Sequence, residues 1–309
     1  MFGFLLIIAA AFCWALDTLI RYPLIYSGIA AEYIVLIEHF FLCLFFLPQL
    51  KGLFLKWKAH HFEGWKSFLV IGGLGSAVAT ITFTKAFALI NPSLVIFFQK
   101  FQPLFAISLA YGVLGEKLSK EFVLLGLVCL LGGFLMASEE VSSALAYISE
   151  NLDDPKEKLL TEKHFYGLLF TFIAVIGWGS STVFGKKLGL LSYSEKEIMT
   201  GRFTIGFISL VPMTLILHQG DLSPLASFDR FIWGKLIVMV LVSGLLGMGL
   251  YYLGLKRTQA RMAALAEMFF PFCALGLNWI FLDAQLNLTQ IIGAVLLLVG
   301  STLIQWKHY

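Results

Sequence analysis

Seven ionisable side chains lie inside long apolar stretches of this 309-residue sequence. Moving a charged side chain into a hydrocarbon layer costs at least ~2.5–3.5 kcal/mol, so each of these residues needs a chemical reason. Such a residue can have a partner of opposite charge, bind a polar molecule or carry a transferable proton. The seven residues are Asp17, Glu38, His39, Lys85, Lys100, Arg202 and Glu267.

Glu267 belongs to a face with helical spacing, which continues through Pro271 and Ala274 to Asn278. A proline inside a helix frees a backbone carbonyl one turn earlier, and inside a membrane that carbonyl must find protein or water. We therefore expect this face to line a hydrated cavity. Glu267 either binds a polar molecule there or pairs with Arg202, and the first interpretation is favoured.

A matching face earlier in the chain carries Gln99, Gln102 and Pro103. We expect both faces to meet in the same cavity. Two tryptophans, Trp14 and Trp178, lie in equivalent apolar stretches, and their indole rings could hold a cationic or amphipathic molecule through cation–π contact. Packing against lipid or protein remains an almost equal alternative for both.

The other charges leave more than one interpretation open. Asp17 is expected to meet Lys85 or Lys100, as a gate or as a snorkelling pair. Glu38 and Arg202 occupy equivalent positions of opposite charge, which fits a binding role and two structural pairs equally well. His39 is able to carry a proton near physiological pH, but a hydrogen-bonded packing role is favoured.

The composition explains where such residues must lie. Hydrophobic residues make up 59% of the chain, charged residues 13%, and the mean hydropathy is +0.86. Typical soluble domains carry about 25% charged residues, so a soluble enzyme, a disordered chain and a nucleic-acid binder are all poor interpretations. The net charge of +3 is too small to indicate a polyanionic partner. The chain is predicted to be an all-α integral membrane protein.

Ten apolar stretches are each long enough, or nearly so, to cross the hydrocarbon layer as a helix. They are Phe2–Ile20, Tyr33–Leu47, Phe68–Leu89, Leu94–Leu114, Phe122–Met136, Phe165–Phe184, Ile198–Leu217, Ile232–Leu253, Met262–Leu282 and Leu288–Trp306. With alternating direction, thirteen Lys and Arg residues lie on the side of Met1 and six on the other. Because positive residues are enriched in cytoplasmic loops, both termini are predicted to be cytoplasmic.

The two halves of the chain are similar to each other at offsets of 164 to 168 residues. An odd number of spans per copy would invert the second copy in the membrane, an arrangement that is characteristic of secondary transporters. The sequence therefore predicts a five-helix unit over 1–137, an acidic extracytoplasmic linker with an amphipathic helix over 138–163, and a second five-helix unit over 164–309. The matched pairs include Trp14 with Trp178, Pro48 with Pro212, Pro103 with Pro271, Gly126 with Gly293 and Gly133 with Gly300.

With these features the chain resembles the EamA-type members of the drug/metabolite transporter superfamily. The resemblance covers nearly the whole chain and rests on Ala86–Pro92, the Gln-Pro step at Gln102–Pro103, Leu114–Leu118 and the glycines of Gly126–Gly133. That family usually has Glu-Pro in place of Gln-Pro. The second half departs further, with Phe270–Pro271 at that step and Leu282–Asp283 where the family has Gly-Glu.

The resemblance implies a secondary or exchange transporter of a small polar or amphipathic metabolite, such as an amino acid, working by alternating access in the cytoplasmic (inner) membrane. A nucleotide-linked metabolite, a choline-like cation and a non-transporting scaffold or receptor are the alternatives. The sequence has no P-loop, no H-E-x-x-H and no G-x-S-x-G, so an ATPase or a membrane enzyme is disfavoured.

The four cysteines are isolated and have no metal-ligand spacing, so no cofactor or metal is expected. The expected partners are a small-molecule substrate, membrane lipid and protons as a candidate coupling ion, with no nucleic acid, in a monomer or homodimer. The predicted substrate-binding residues are Trp14, Gln99, Gln102, Trp178, Ser181, Tyr251, Glu267 and Asn278. The predicted coupling or gating residues are Asp17, Glu38, His39, Lys85 and Arg202.

Overall fold

The structure is a computed structural model and describes residues 2–59, 61–115, 118–149, 154–255, 257, 266–267 and 269–308. All regular structure within these ranges is helical, as the sequence predicts. The main helices are α1 (Phe2–Tyr26), α2 (Ala31–Ala59), α3 (Trp65–Ala86), α4 (Pro92–Leu114), α5 (Lys120–Met136), α6 (Ser138–Ser149), α7 (Pro155–Leu190), α8 (Glu195–Leu217), α9 (residues 230–255), α10 (Phe269–Leu282) and α11 (Leu288–His308).

The helices overlap all ten predicted spans, but the count of ten membrane crossings is not confirmed. By length and composition, eight of the described helices can cross a membrane: α1, α2, α3, α4, α7, α8, α9 and α11. Helices α5 and α6 together make a ninth candidate, although they are bent by 77° at their junction. Helix α10 has only 14 described residues, and residues 262–265 and 268 of the predicted ninth span lie outside the described ranges.

The predicted acidic linker is largely helical. Helix α6 occupies its first part, where an amphipathic helix was expected, and α7 begins at Pro155, ten residues before the predicted start at Phe165. The side chain of Asp154 accepts a hydrogen bond of 2.9 Å from the backbone N–H of Lys156, and Pro155 lies in the first turn. A carboxylate cap followed by proline is a strong start signal, which explains the early beginning of α7.

Helices α3 and α9 each contain a π-helical segment at a corresponding position in the two halves. The segments are Val70–Val78 and Val240–Gly247, and both are rich in glycine. A π-helical segment shifts the direction of the side chains that follow it, and such segments are frequent at functional sites.

Helices α5 and α11 pack with their backbones in contact. A Cβ atom on Gly132 would lie 2.6 Å from the backbone nitrogen of Leu297, and one on Gly293 would lie 2.5 Å from the carbonyl oxygen of Gly132. Real Cβ atoms do not approach backbone atoms so closely, so the two helices need glycine at these positions. Small residues commonly allow two helices to pack closely inside membranes.

The main helix contacts have the pattern that a two-fold relation between the halves would produce. Helix α1 packs against α9 and α10, and α7 packs correspondingly against α3 and α4. Helix α2 packs against α8, and α5 packs against α11. The interface between the halves therefore involves α1, α4, α9 and α10. Helices α1, α4 and α9 carry Trp14, Lys100 and Tyr251, and Glu267 precedes α10 in the sequence.

Candidate functional site

Trp14, Tyr251 and Glu267 form a continuous chain of contacts between α1, α9 and the segment that leads into α10. The Trp14 and Tyr251 rings lie 5.3 Å apart between centroids and are tilted by 49°. The Tyr251 hydroxyl donates a hydrogen bond of 2.8 Å to Oε1 of Glu267. The Trp14 Nε1–H donates to the carbonyl oxygen of Ser243 at 3.2 Å. Trp14 lies twelve residues from Phe2, or about 18 Å along the helix, which is near the middle of a membrane span.

Lys100 completes this group from α4. It lies in the 3₁₀ turn Gln99–Phe101, which interrupts α4 before Pro103, and only 9% of it is exposed. Its charge interacts with that of Glu267, and it has no hydrogen bond or ion pair within 4 Å among the described residues. The predicted site omitted Lys100, although an ionisable residue between Gln99 and Gln102 was itself a signal.

Gln99 and Gln102 extend the site along α4. The Gln99 amide donates to the carbonyl oxygen of Val95 at 3.1 Å, and the Gln102 amide donates to Gln99 Oε1 at 2.9 Å. Gln99 is buried and Gln102 is partly exposed. The two amides are therefore ordered by the helix and by each other, with Gln102 the more accessible to a small molecule.

Trp178 and Ser181 lie on α7 and face α3. The Trp178 ring contacts that of Phe83 at 4.9 Å between centroids, and the Ser181 hydroxyl donates to the carbonyl oxygen of Gly177 at 3.0 Å. A Cβ atom on Gly75 in the π-helical segment would overlap the Ser181 hydroxyl. The structure places these two residues in the α3–α7 interface, and the contacts found for them in the described part of the chain do not include Trp14 or Glu267.

Asn278 is fully buried and ties α10 to the beginning of α4. Its Nδ2 donates to the Ser93 hydroxyl at 3.3 Å, while its Oδ1 is buried and lacks a hydrogen-bond partner in the described part of the chain. Asn278 follows Glu267 by eleven residues, or roughly 16 Å along a helix. It therefore lies well away from the Glu267 group, towards the end of the bundle at which α1 ends and α2 begins. We call this end the far end.

A second group of charges lies nearer the far end and centres on Arg21. Its guanidinium donates to Asp17 at 2.6 and 3.2 Å, to Oε2 of Glu38 at 3.0 Å and to the Thr84 hydroxyl at 3.1 Å. The Ser243 hydroxyl lies 2.7 Å from Oδ1 of Asp17. Arg21 is only 4% exposed, so this network links α1, α2, α3 and α9 inside the bundle.

The expectation that Asp17 meets Lys85 or Lys100 is wrong. Asp17 pairs with Arg21 one helical turn later on the same helix, at the spacing that brings two side chains together. Lys85 pairs instead with Glu32, and His218 lies 3.5 Å from the same carboxylate. Arg21 was not among the predicted site residues because it follows the predicted end of the first span at Ile20, whereas α1 continues to Tyr26.

His39 and Arg202 lie in the α2–α3–α8 interface. His39 Nδ1 is 2.9 Å from the carbonyl oxygen of Val35, and its ring meets the edge of Phe203 at 5.8 Å. Arg202 Nε donates to the Ser76 hydroxyl at 3.0 Å, in the π-helical segment of α3. These contacts agree with the packing interpretation of His39 and anchor Arg202 to α3.

Comparison with known proteins now identifies the class of the molecule. The chain matches the EamA-like transporter family over residues 1–138 and 165–306, which together include nearly all of it. It belongs to the EamA-like transporter family. The resemblance drawn from the sequence motifs is thereby confirmed, and with it the multi-pass, all-α membrane fold.

Two curated relatives are also transporters by name. The chain is 28% identical over 307 residues to the riboflavin transporter ImpX of Fusobacterium nucleatum, covering 96% of this chain and 95% of the relative. It is 26% identical over 208 residues to the uncharacterized transporter YoaV of Bacillus subtilis, covering 64% of this chain and 61% of the relative. A solved crystal structure shares 15% identity and a TM-score of 0.54 over 97% of this chain and 94% of its own, which supports the fold alone.

One departure of this EamA-like transporter from the family pattern has a local structural explanation. In the first half, α4 ends at Gly115, which has a left-handed backbone with φ of 70°. In the second half, α10 ends at Leu282 and the next residue, Asp283, has φ of 52°. Aspartate tolerates this conformation better than most side chains, so the helix can end here without the family's glycine.

Proposed function

We propose that this protein is a secondary or exchange transporter that binds one small polar organic molecule between α1, α4, α9 and α10. The observation that supports this most strongly is Lys100, which is buried on α4 and has no hydrogen bond or ion pair within 4 Å among the described residues. A buried cation is costly unless a ligand or an opposite charge stabilises it. A polar solute seated between Lys100 and Glu267 would provide that stabilisation.

Riboflavin is the first solute to test. A relative that matches nearly the whole chain is a riboflavin transporter by name, and the site combines aromatic rings with hydrogen-bonding groups. A flavin has a planar ring system that can stack on the tilted Trp14 and Tyr251 rings, and ring contacts of this kind contribute about 0.5–1.5 kcal/mol each. Its ring edge offers hydrogen-bond donors and acceptors to Lys100, Gln102 and Glu267.

An amino acid is the second candidate, and a separate observation favours it. Lys100 on α4 and Glu267, which precedes α10, carry opposite charges, and α4 packs against α10. An α-carboxylate beside Lys100 and an α-ammonium beside Glu267 would neutralise both. We propose alternating access for either solute, because two halves related by inversion allow the site to face each side in turn.

The binding test compares purified wild-type protein with Lys100→Met and Glu267→Gln. At a fixed ligand concentration, a tighter ligand raises the apparent melting temperature more, so thermal shift can rank riboflavin against a panel of amino acids. Since hydrogen bonds to charged groups contribute about 1.5–3 kcal/mol, each variant should lose tenfold or more in affinity. Uptake into proteoliposomes should fall with the binding.

Two exposed charged residues, one on α9 and one on α7, serve as matched controls. Lys235→Met on α9 and Glu157→Gln on α7 remove the same charges from exposed positions. Both controls should bind and transport as wild type does. If Lys100→Met and Glu267→Gln retain wild-type affinity for the solute that the wild type binds, the proposed site is wrong.

A further inference from the structure

We propose that Glu38 is a proton-binding site and that its protonation opens the far end of the bundle by releasing Arg21. The proton site is separate from the proposed solute site, because Glu38 lies on α2 and the solute site uses α1, α4, α9 and α10. The assignment rests on the charges and contacts around Arg21 and does not depend on which solute is carried.

The Arg21 network contains one more negative charge than positive charge. Asp17 and Glu38 both accept hydrogen bonds from the single guanidinium of Arg21, and Thr84 and Ser243 add only neutral hydroxyls. Glu38 is 9% exposed and Arg21 is 4% exposed. In a medium of low dielectric constant an excess charge of this kind is costly, and binding of one proton removes it.

Among the described residues, Arg21 is the cation that pairs with Asp17 and Glu38, and the surrounding charged groups make other contacts. Towards the far end, Glu32 pairs with Lys85, and His218 lies 3.5 Å from the same carboxylate. These three side chains form a separate charged group. On the other side, His39 is directed to the carbonyl oxygen of Val35, and Arg202 donates to Ser76. These groups, together with Asp17 and Arg21, are the titratable and charged side chains on α1, α2, α3 and α8 that lie around Glu38.

Between the two acids, Glu38 is the one that takes the proton. Asp17 receives two hydrogen bonds from Arg21, and the Ser243 hydroxyl lies 2.7 Å from both Asp17 and the Met239 carbonyl oxygen. Glu38 receives one hydrogen bond, on Oε2, and its Oε1 has no partner among the described residues. A proton on Glu38 therefore costs one charge-assisted hydrogen bond, whereas a proton on Asp17 would cost more.

Protonation of Glu38 removes a contact between helices and leaves a contact within one helix. Arg21 and Asp17 are four residues apart on α1 and stay paired, so the network becomes neutral without Glu38. The hydrogen-bonded link from α1 to α2 is then lost, so that the apolar contacts of Leu24 and Ile25 with Ile34 and Ile37 hold the two helices together at the far end, and separation becomes easier. Because Ser243 contacts Asp17 through its hydroxyl and Trp14 through its carbonyl, movement of α1 there also reaches the proposed solute site.

Hydrogen exchange in the absence of solute tests this directly. Purified wild-type protein is compared at neutral and mildly acidic pH, after correction for the intrinsic pH dependence of exchange, in peptides that contain Arg21 and Glu38. Loss of one charge-assisted hydrogen bond should accelerate exchange in these peptides roughly tenfold at the acidic pH. Glu38→Gln, which carries no charge, should show the faster exchange at both pH values.

Two matched variants define the control. Glu32→Gln removes a buried carboxylate from the same helix but leaves the Arg21 network intact, and Glu38→Asp keeps the carboxylate; both should respond to pH as wild type does. If wild-type exchange does not change with pH, if Glu38→Gln still responds to pH, or if Glu32→Gln abolishes the response, the proposal is overturned.

A further variant applies where Glu38→Gln does not fold. Asp17→Asn leaves Arg21 and Glu38 as a neutral pair, so the excess charge is gone and protonation of Glu38 becomes less favourable. The pH at which exchange accelerates should then be lower than in wild type, and an unchanged midpoint would contradict the role of Glu38. No solute is present in any arm, so the outcome is independent of whether riboflavin or an amino acid is bound.

Discussion

At the scale of single residues, one tyrosine side chain orients the carboxylate of Glu267 in the proposed solute site. The Tyr251 hydroxyl donates to Glu267, while the Tyr251 ring packs on Trp14. The aromatic contact and the polar contact therefore come from one side chain, and the orientation of Glu267 depends on it. This geometry allows the two contributions to be separated by experiment.

Tyr251→Phe removes the hydroxyl and keeps the ring. We expect solute affinity to fall by up to about tenfold, because the hydrogen bond to a charged group contributes about 1.5–3 kcal/mol and Glu267 loses part of its orientation. Thermal shift and equilibrium binding of the transported solute measure the change. Tyr166→Phe, at a half-exposed tyrosine of α7, is the control and should bind as wild type does. Equal affinities for both variants would show that the Tyr251 hydroxyl does not position Glu267.

The sequence predicted which residues are chemically unusual better than it predicted their partners. Glu38, Asp17 and Glu267 stand out because an acid inside an apolar stretch is costly. Their partners depend on where a helix ends and how it is rotated. Arg21 was overlooked because α1 continues beyond the predicted boundary at Ile20, and Lys100 could be connected with Glu267 only once α4 and α10 were packed together.

At the scale of helices, apolar length predicts where helices lie, whereas their breaks arise from local contacts. The π-helical segments of α3 and α9 have no signature in hydropathy, because the residues on both sides remain largely apolar or small. The 77° bend between α5 and α6, in contrast, coincides with the predicted boundary between the apolar span and the acidic linker. The glycines do carry a signal. Gly293 of α11 was matched with Gly126 of α5, and it lies at the contact where its backbone meets that of Gly132.

Gly132→Ala should destabilise this helix pair. The added Cβ atom would lie 2.6 Å from a backbone nitrogen and 2.7 Å from a backbone oxygen of α11, and backbone atoms cannot move aside as a flexible side chain can. Overpacking of this kind typically costs about 1–3 kcal/mol, which should appear as a lower melting temperature of the purified protein.

Gly276→Ala on α10 is the matched control, because no neighbouring atom lies within 4 Å of its added Cβ atom. Alanine is a better helix former than glycine by about 1 kcal/mol, so this variant should melt at the wild-type temperature or above it. A Gly132→Ala variant that melts together with the Gly276→Ala control would mean that α5 and α11 are not held in backbone contact.

At the scale of the whole molecule, the distribution of Lys and Arg determines which end of the bundle faces the cytoplasm. The structure removes Arg21 from the far-side loops, because it is buried in a network with Asp17 and Glu38. The six positive residues assigned to that side thus become five, against thirteen on the side of Phe2. Only positive residues near the ends of spans influence orientation, so the correction strengthens the predicted bias.

We therefore expect the side of Phe2 to be cytoplasmic and the far end to face outwards. Fusions made in a bacterial host test this, since a fluorescent protein matures only in the cytoplasm and an alkaline phosphatase is active only outside it. A C-terminal fluorescent protein should fluoresce, and phosphatase fused after Gly220, between α8 and α9, should be active. Phosphatase fused after Lys187, near the opposite end of α7, should be inactive and serves as the control. The reverse pattern would place the Arg21 network on the cytoplasmic side, so that Glu38 would receive its proton from the cell interior and the direction of coupling would be inverted.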